Sequence, residues 1–148
     1  MQEFKIHNYE RDNGKGTFTP FRHLSCEEGA ILRTALGRRL KLPENALGCD
    51  ILRCIHGAAV SVGGANAKDD RFDLLHLVSR LGYVLPAVVY LNWYQFDDID
   101  ELRAMDLAHR FSDIWYPETD DIEIVDIEMR WIVAVTHGGS VKLLDLGV

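Results

Sequence analysis

The chain contains no apolar run approaching the ~20 residues that span a bilayer, and no repeat, low-complexity tract or linker divides its 148 residues. A single domain with no membrane partner is therefore expected over residues 1–148. The opening Met1-Gln2-Glu3-Phe4-Lys5-Ile6-His7-Asn8 lacks a basic segment followed by an apolar stretch. No secretory signal is expected from it, and the cytoplasm is the expected compartment. Cysteine is scarce. Cys26, Cys49 and Cys54 are odd in number and cannot form a fully paired framework, so they are expected to be reduced and mostly buried. Cys49-x4-Cys54-x-His56 offers thiolates and an imidazole but no CxxC knuckle, and no metal is expected there. Val62-Gly63-Gly64-Ala65-Asn66-Ala67-Lys68-Asp69-Asp70 meets neither the Walker spacing nor GxGxxG, and no Asp-x-Asp/Asn-x-Asp/Asn-Gly run exists. No cofactor is expected.

With 47% hydrophobic and 26% charged residues, the chain can bury a substantial core. Its charge is unevenly placed. Residues 1–90 carry a net of +2, whereas residues 91–130 carry twelve Asp/Glu against Arg103, Arg110 and Arg130, a net of −9. If those carboxylates gather on one exposed side, unopposed by the basic residues of the first half, they repel phosphate backbones and attract a basic protein. Direct nucleic-acid binding is therefore not expected.

Phe4, Ile6 and Asn8 alternate with polar positions and suggest a short first strand. Residues 12–16 form a turn cluster, and Phe18 to Leu24 reads as irregular around Pro20. Ser25 with Glu28 three residues later is a capping-box signature, and Ala30, Ile31, Ala35, Leu36 and Leu40 give the following helix an apolar face. Ala46 to Asn66 is ambiguous between helix and strand until the glycines at 63 and 64. Asp69 or Asp70 is expected to cap a helix through Leu81, which Gly82 stops. Pro86 to Trp93 reads as a central strand. Asp98 with Glu101 suggests a further helix to His109. The tail reads as three antiparallel strands, Ile122–Val125, Trp131–Thr136 and Val141–Leu144. The expected class is α+β: an antiparallel or mixed sheet with a C-terminal three-stranded meander and about three packed helices.

Catalytic patterns are weak by comparison. Cys26 or Cys54 could pair with His23, His56 or His137, but Glu27 and Glu28 flank Cys26 and oppose a thiolate. The acidic pairs Asp97/Asp98 and Asp120/Asp121 fall at turns or helix starts, where capping explains them; Glu123 and Asp126 are expected to face outward. Trp93, Phe111 and Trp131 are expected in the core. Trp115 and Tyr116, set among Asp113, Glu118, Asp120 and Asp121, have the composition of an interface hot spot, an aromatic anchor ringed by charge. The expected contact set is Asp97, Asp98, Asp113, Trp115, Tyr116, Glu118, Asp120 and Asp121.

Over residues 88–144, the segments Leu91-Asn92-Trp93 through Asp100, Asp113-Ile114-Trp115-Tyr116-Pro117-Glu118-Thr119-Asp120-Asp121-Ile122-Glu123-Ile124 and Arg130 through Gly139 resemble small bacterial immunity proteins. Those are the inhibitors paired with polymorphic or contact-dependent growth-inhibition toxins. The resemblance implies a non-enzymatic protein that binds and blocks a toxin, often a basic nuclease, through an acidic face. Two other readings stand beside it: a small cysteine/histidine-dependent enzyme built on Cys26 or Cys54, and a phage-encoded inhibitor that uses the same acidic surface to imitate nucleic acid. Oligomeric state is not legible in the sequence.

Overall fold

The computed structural model describes residues 1–147, and the α+β class holds. Among these residues a seven-stranded, wholly antiparallel sheet has the order β1-β4-β3-β5-β6-β7-β2. Its strands are β1 (Phe21–His23), β2 (Val60–Asn66), β3 (Val88–Tyr94), β4 (Asp98–Arg103), β5 (Ile122–Asp126), β6 (Trp131–Val135) and β7 (Ser140–Asp145). Six helices accompany it: α1 (Glu3–Asn13), α2 (Cys26–Arg39), α3 (Gly48–Ala58), α4 (Leu74–Arg80), α5 (Ala104–His109) and α6 (Phe111–Ile114). No described helix is long and apolar enough to cross a membrane.

Both faces of the sheet are covered. One core joins Leu74, Leu77 and Val78 of α4, Leu107 of α5 and Ile114 of α6 to Val89, Leu91, Ile124, Val133 and Val141 of the sheet. The other joins Leu32 and Leu36 of α2 and Ile51 and Ile55 of α3 to Phe96, Ile99, Val125 and Ile132. This double cover explains β5 and β6, in which every side chain is buried. The meander β5-β6-β7 appears as expected, and its second turn is made by Gly139 at φ 89°.

Several expectations are corrected. Residues 4–8 are helical, because Lys5 and Tyr9, four positions apart, form the buried stripe of α1. Phe21–His23 is a short edge strand that pairs with β4. Residues 98–103 are strand and not the start of a helix; α5 begins only at Ala104. The alternation Ile99 and Glu101 against Asp100 and Leu102 carries this strand, and its polar member Asp100 is buried. The ambiguous stretch divides into α3 and β2. The cap of α4 is Asp73, whose Oδ1 accepts the His76 N–H at 3.1 Å. Ser25 and Glu28 form both bonds of the capping box, but α2 buries Gly29, Leu32, Leu36 and Gly37 while Ile31 stays in solvent.

Candidate functional site

The register places the end of β3 beside the start of β5, with Asn92 opposite Glu123. The β3–β4 turn, carrying Asp97, and the α6–β5 connection, carrying Glu118 to Asp121, therefore lie at the same end of the sheet. The sequence had separated them by about twenty residues. Asp97, Glu118 and Asp121 are exposed there, Asp98, Asp113 and Tyr116 are half-buried, and Tyr94 contributes an exposed ring.

Two members of the expected contact set are not on the surface. Trp115 is 2% exposed and Asp120 is 4% exposed. Trp115 stacks on Phe111 in the core, and its Nε1–H donates to the Asp120 carbonyl at 2.9 Å. The Asp120 carboxylate accepts the Tyr116 N–H at 2.7 Å and the Lys5 ammonium. An aromatic beside acids in sequence is an interface anchor only if the fold leaves it outside, and here α6 turns it inward.

The remaining acids are mostly opposed by basic groups. Arg33 Nη1 lies 2.9 Å from Asp97, Arg22 Nη2 lies 2.9 Å from Glu101, and Lys68 pairs with Glu118. His137 Nδ1 lies 3.0 Å from Asp121. The expectation of unopposed negative charge is thus corrected: the first half of the chain supplies counter-ions to the second. Glu123 and Asp126 are also corrected from outward to inward. Glu123 accepts from Asn92 Nδ2 at 2.6 Å and lies 3.0 Å from His56 Nε2, while Asp126 is bound by Arg130. The Glu123 carboxylate raises the His56 pKa, outweighing the effect of partial burial.

The most enclosed chemistry at this end lies under α1, at a residue the sequence did not single out. The Lys5 ammonium is wholly buried over the rings of Tyr116 at 4.5 Å, Trp93 at 4.6 Å and Phe4 at 5.7 Å, and donates to the Ile114 carbonyl at 2.6 Å as well as to Asp120. Burial pulls its pKa down against the opposing pull of Asp120. Beside it, buried Asp100 accepts from Trp93 Nε1 at 2.8 Å, lies 3.0 Å from His23 Nδ1 and pairs with the Met1 amine. His23, Asp98 and Asp100 bring their ligand atoms within 4.8 Å of one another, but hydrogen bonds already engage both oxygens of Asp100. No motif marks these residues; the His23–Asp100 and His56–Glu123 pairings and the lysine cage arise from positions far apart in the chain.

Cys26 is exposed, and Cys49 and Cys54 are half-buried, which corrects the expectation that all three are mostly hidden. No family model matches the chain, and no curated protein or solved structure matches it either.

Proposed function

We propose that this chain is a non-enzymatic binding protein that occludes a basic partner, a toxin or nuclease domain, in the manner of the immunity proteins that residues 88–144 resemble. The observation that carries this reading is that Asp97, Asp98, Glu118 and Asp121 lie at the same end of the sheet, which also presents Tyr94 and Tyr116. Acid and amphipathic aromatic side chains side by side suit a basic, partly apolar counterpart. Trp115 and Asp120 drop out of the directly exposed contact set. The ion pairs with Arg33, Lys68 and His137 lower the long-range field but leave acceptor oxygens available to an arginine or lysine of the partner.

The test is protection. A basic toxin domain encoded beside this gene is expressed alone, with the native chain, and with Asp97→Lys/Asp98→Lys/Asp121→Lys. The native chain is expected to restore growth and to co-purify with the toxin. The triple variant, folded by circular dichroism, is expected to do neither. Full protection by the triple variant, or no complex with such a domain, overturns the reading.

A further inference from the structure

We propose that α1 is a displaceable plug, and that the pocket it fills is a socket for a lysine side chain of the basic partner, occupied in the resting chain by Lys5. The inference rests on the binding function proposed above and names what that surface recognises. The socket has two aromatic walls, Trp93 and Tyr116, and two acceptors, the Asp120 carboxylate and the Ile114 carbonyl. Aromatic faces combined with oxygen acceptors in a desolvated site are the chemistry that recognises an alkylammonium ion.

Apart from the Phe4 ring, 5.7 Å from the ammonium, every wall of this socket lies outside α1. Trp93 is on β3, and Ile114, Tyr116 and Asp120 belong to α6 and the turn after it. Asp120 is oriented without help from α1: its carboxylate accepts the Tyr116 N–H at 2.7 Å, and its carbonyl accepts the buried Trp115 indole N–H at 2.9 Å. What α1 contributes is the ligand, with Phe4 as a partly exposed edge against Tyr116. The buried ion pair is not required for stability as such, since a hydrophobic replacement of similar size often matches it.

Besides the Lys5 contacts, the helix is tied down by the Met1 amine on Asp100 just before it and by Tyr9, which packs against Phe18 and Arg110. It has eleven residues, below the ~12–15 at which helices persist unaided, its start lacks a side-chain cap, and Lys5 and Tyr9 are its only buried residues. The acids Asp113 and Glu118 lie in the segment that supplies the socket, so a basic segment drawn to them arrives beside the Lys5 position. A partner lysine would then replace Lys5, and affinity would be reduced by the fraction of molecules in which α1 stays docked.

The experiment compares the full chain with Lys5→Ala, using N-acetyl-lysine-N-methylamide as the probe and the uncharged norleucine analogue as its control. The Trp93 indole resonance reports occupancy. Lys5→Ala is expected to bind the lysine probe roughly tenfold more tightly than the native chain, because the internal competitor is gone. The norleucine probe should not bind, and adding Asp120→Asn should abolish the response. A folded Lys5→Ala chain that ignores the lysine probe, or takes norleucine equally well, overturns the socket. Should Lys5→Ala fail to fold, hydrogen exchange of residues 3–13 in the native chain decides. Faster exchange with saturating lysine probe supports displacement, and unchanged protection refutes it. The two readings fail separately: lysine binding without any captured toxin sinks the partner assignment, whereas toxin capture with α1 still protected sinks the plug.

Discussion

Glu123 sits in the middle of a buried chain of hydrogen bonds. Its carboxylate receives Asn92 Nδ2 at 2.6 Å and stands 3.0 Å from His56 Nε2, and Asn92 Oδ1 in turn accepts the Phe96 N–H at 2.8 Å. Phe96 and its neighbour Gln95 adopt left-handed backbone angles, φ 57° and 45°, which cost energy for residues with a Cβ. The buried Phe96 ring and the Asn92 clamp offset that cost. Asn92→Ala removes the clamp and leaves a buried carboxylate with a single partner, so a loss of about 3 kcal/mol is expected in urea denaturation. His56 gives the network a pH dependence. Its folded pKa lies above the ordinary value of 6.5, so the folded state holds the proton more tightly than the unfolded state. That contribution is complete below 6.5 and lost as pH rises through the folded value. The urea midpoint should therefore fall between neutral and mildly alkaline pH, and His56→Gln should flatten that limb.

Among the elements, α2 was legible because its start is written in four consecutive residues. Ser25→Ala should cost about 1 kcal/mol, read from the denaturation midpoint. Its buried face was less legible, because the core accepts Gly29 and Gly37 where apolar periodicity favoured Ala30 and Ile31. The helix α1 and the strand β4 depart from expectation for different reasons: α1 buries Lys5, whose partner Asp120 is distant in sequence, whereas Asp98 and Glu101, spaced like a capping box, are strand residues of β4. Periodicity alone places such a lysine in solvent. At the start of α3, Gly48 lies so close to the β3–β4 turn that an added Cβ would stand 1.6 Å from the Gln95 carbonyl oxygen. Backbone cannot swing aside as a side chain can. Gly48→Ala should destabilise by about 3 kcal/mol or prevent folding, measured by thermal melting against the native chain.

At the scale of the whole molecule, the charge of −7 remains, but it is not a bare acidic face. Asp100, Asp120, Glu123 and Asp126 are buried, and most acids left outside have a basic neighbour. Steering of a basic partner should therefore be modest. Its association rate is expected to fall by less than about tenfold between 50 and 300 mM salt, followed by stopped flow, where a bare acidic face would give a steeper decline. Breaking Arg33–Asp97 with Arg33→Ala should steepen that decline by exposing one more unopposed carboxylate at the proposed binding end.

The sequence by itself determined the α+β class, the C-terminal meander, the capped start of α2 and the concentration of acids after residue 90. These are local properties, set by periodicity, turn chemistry and composition within a few residues. Only the tertiary structure decided which acids face water, that Trp115 turns inward, and that Lys5 fills a cage built from β3 and α6. Those outcomes depend on antiparallel pairing and helix docking between residues up to 115 positions apart. The free energy of burying a charge is set by the partner that meets it in space, and no window along the chain contains both.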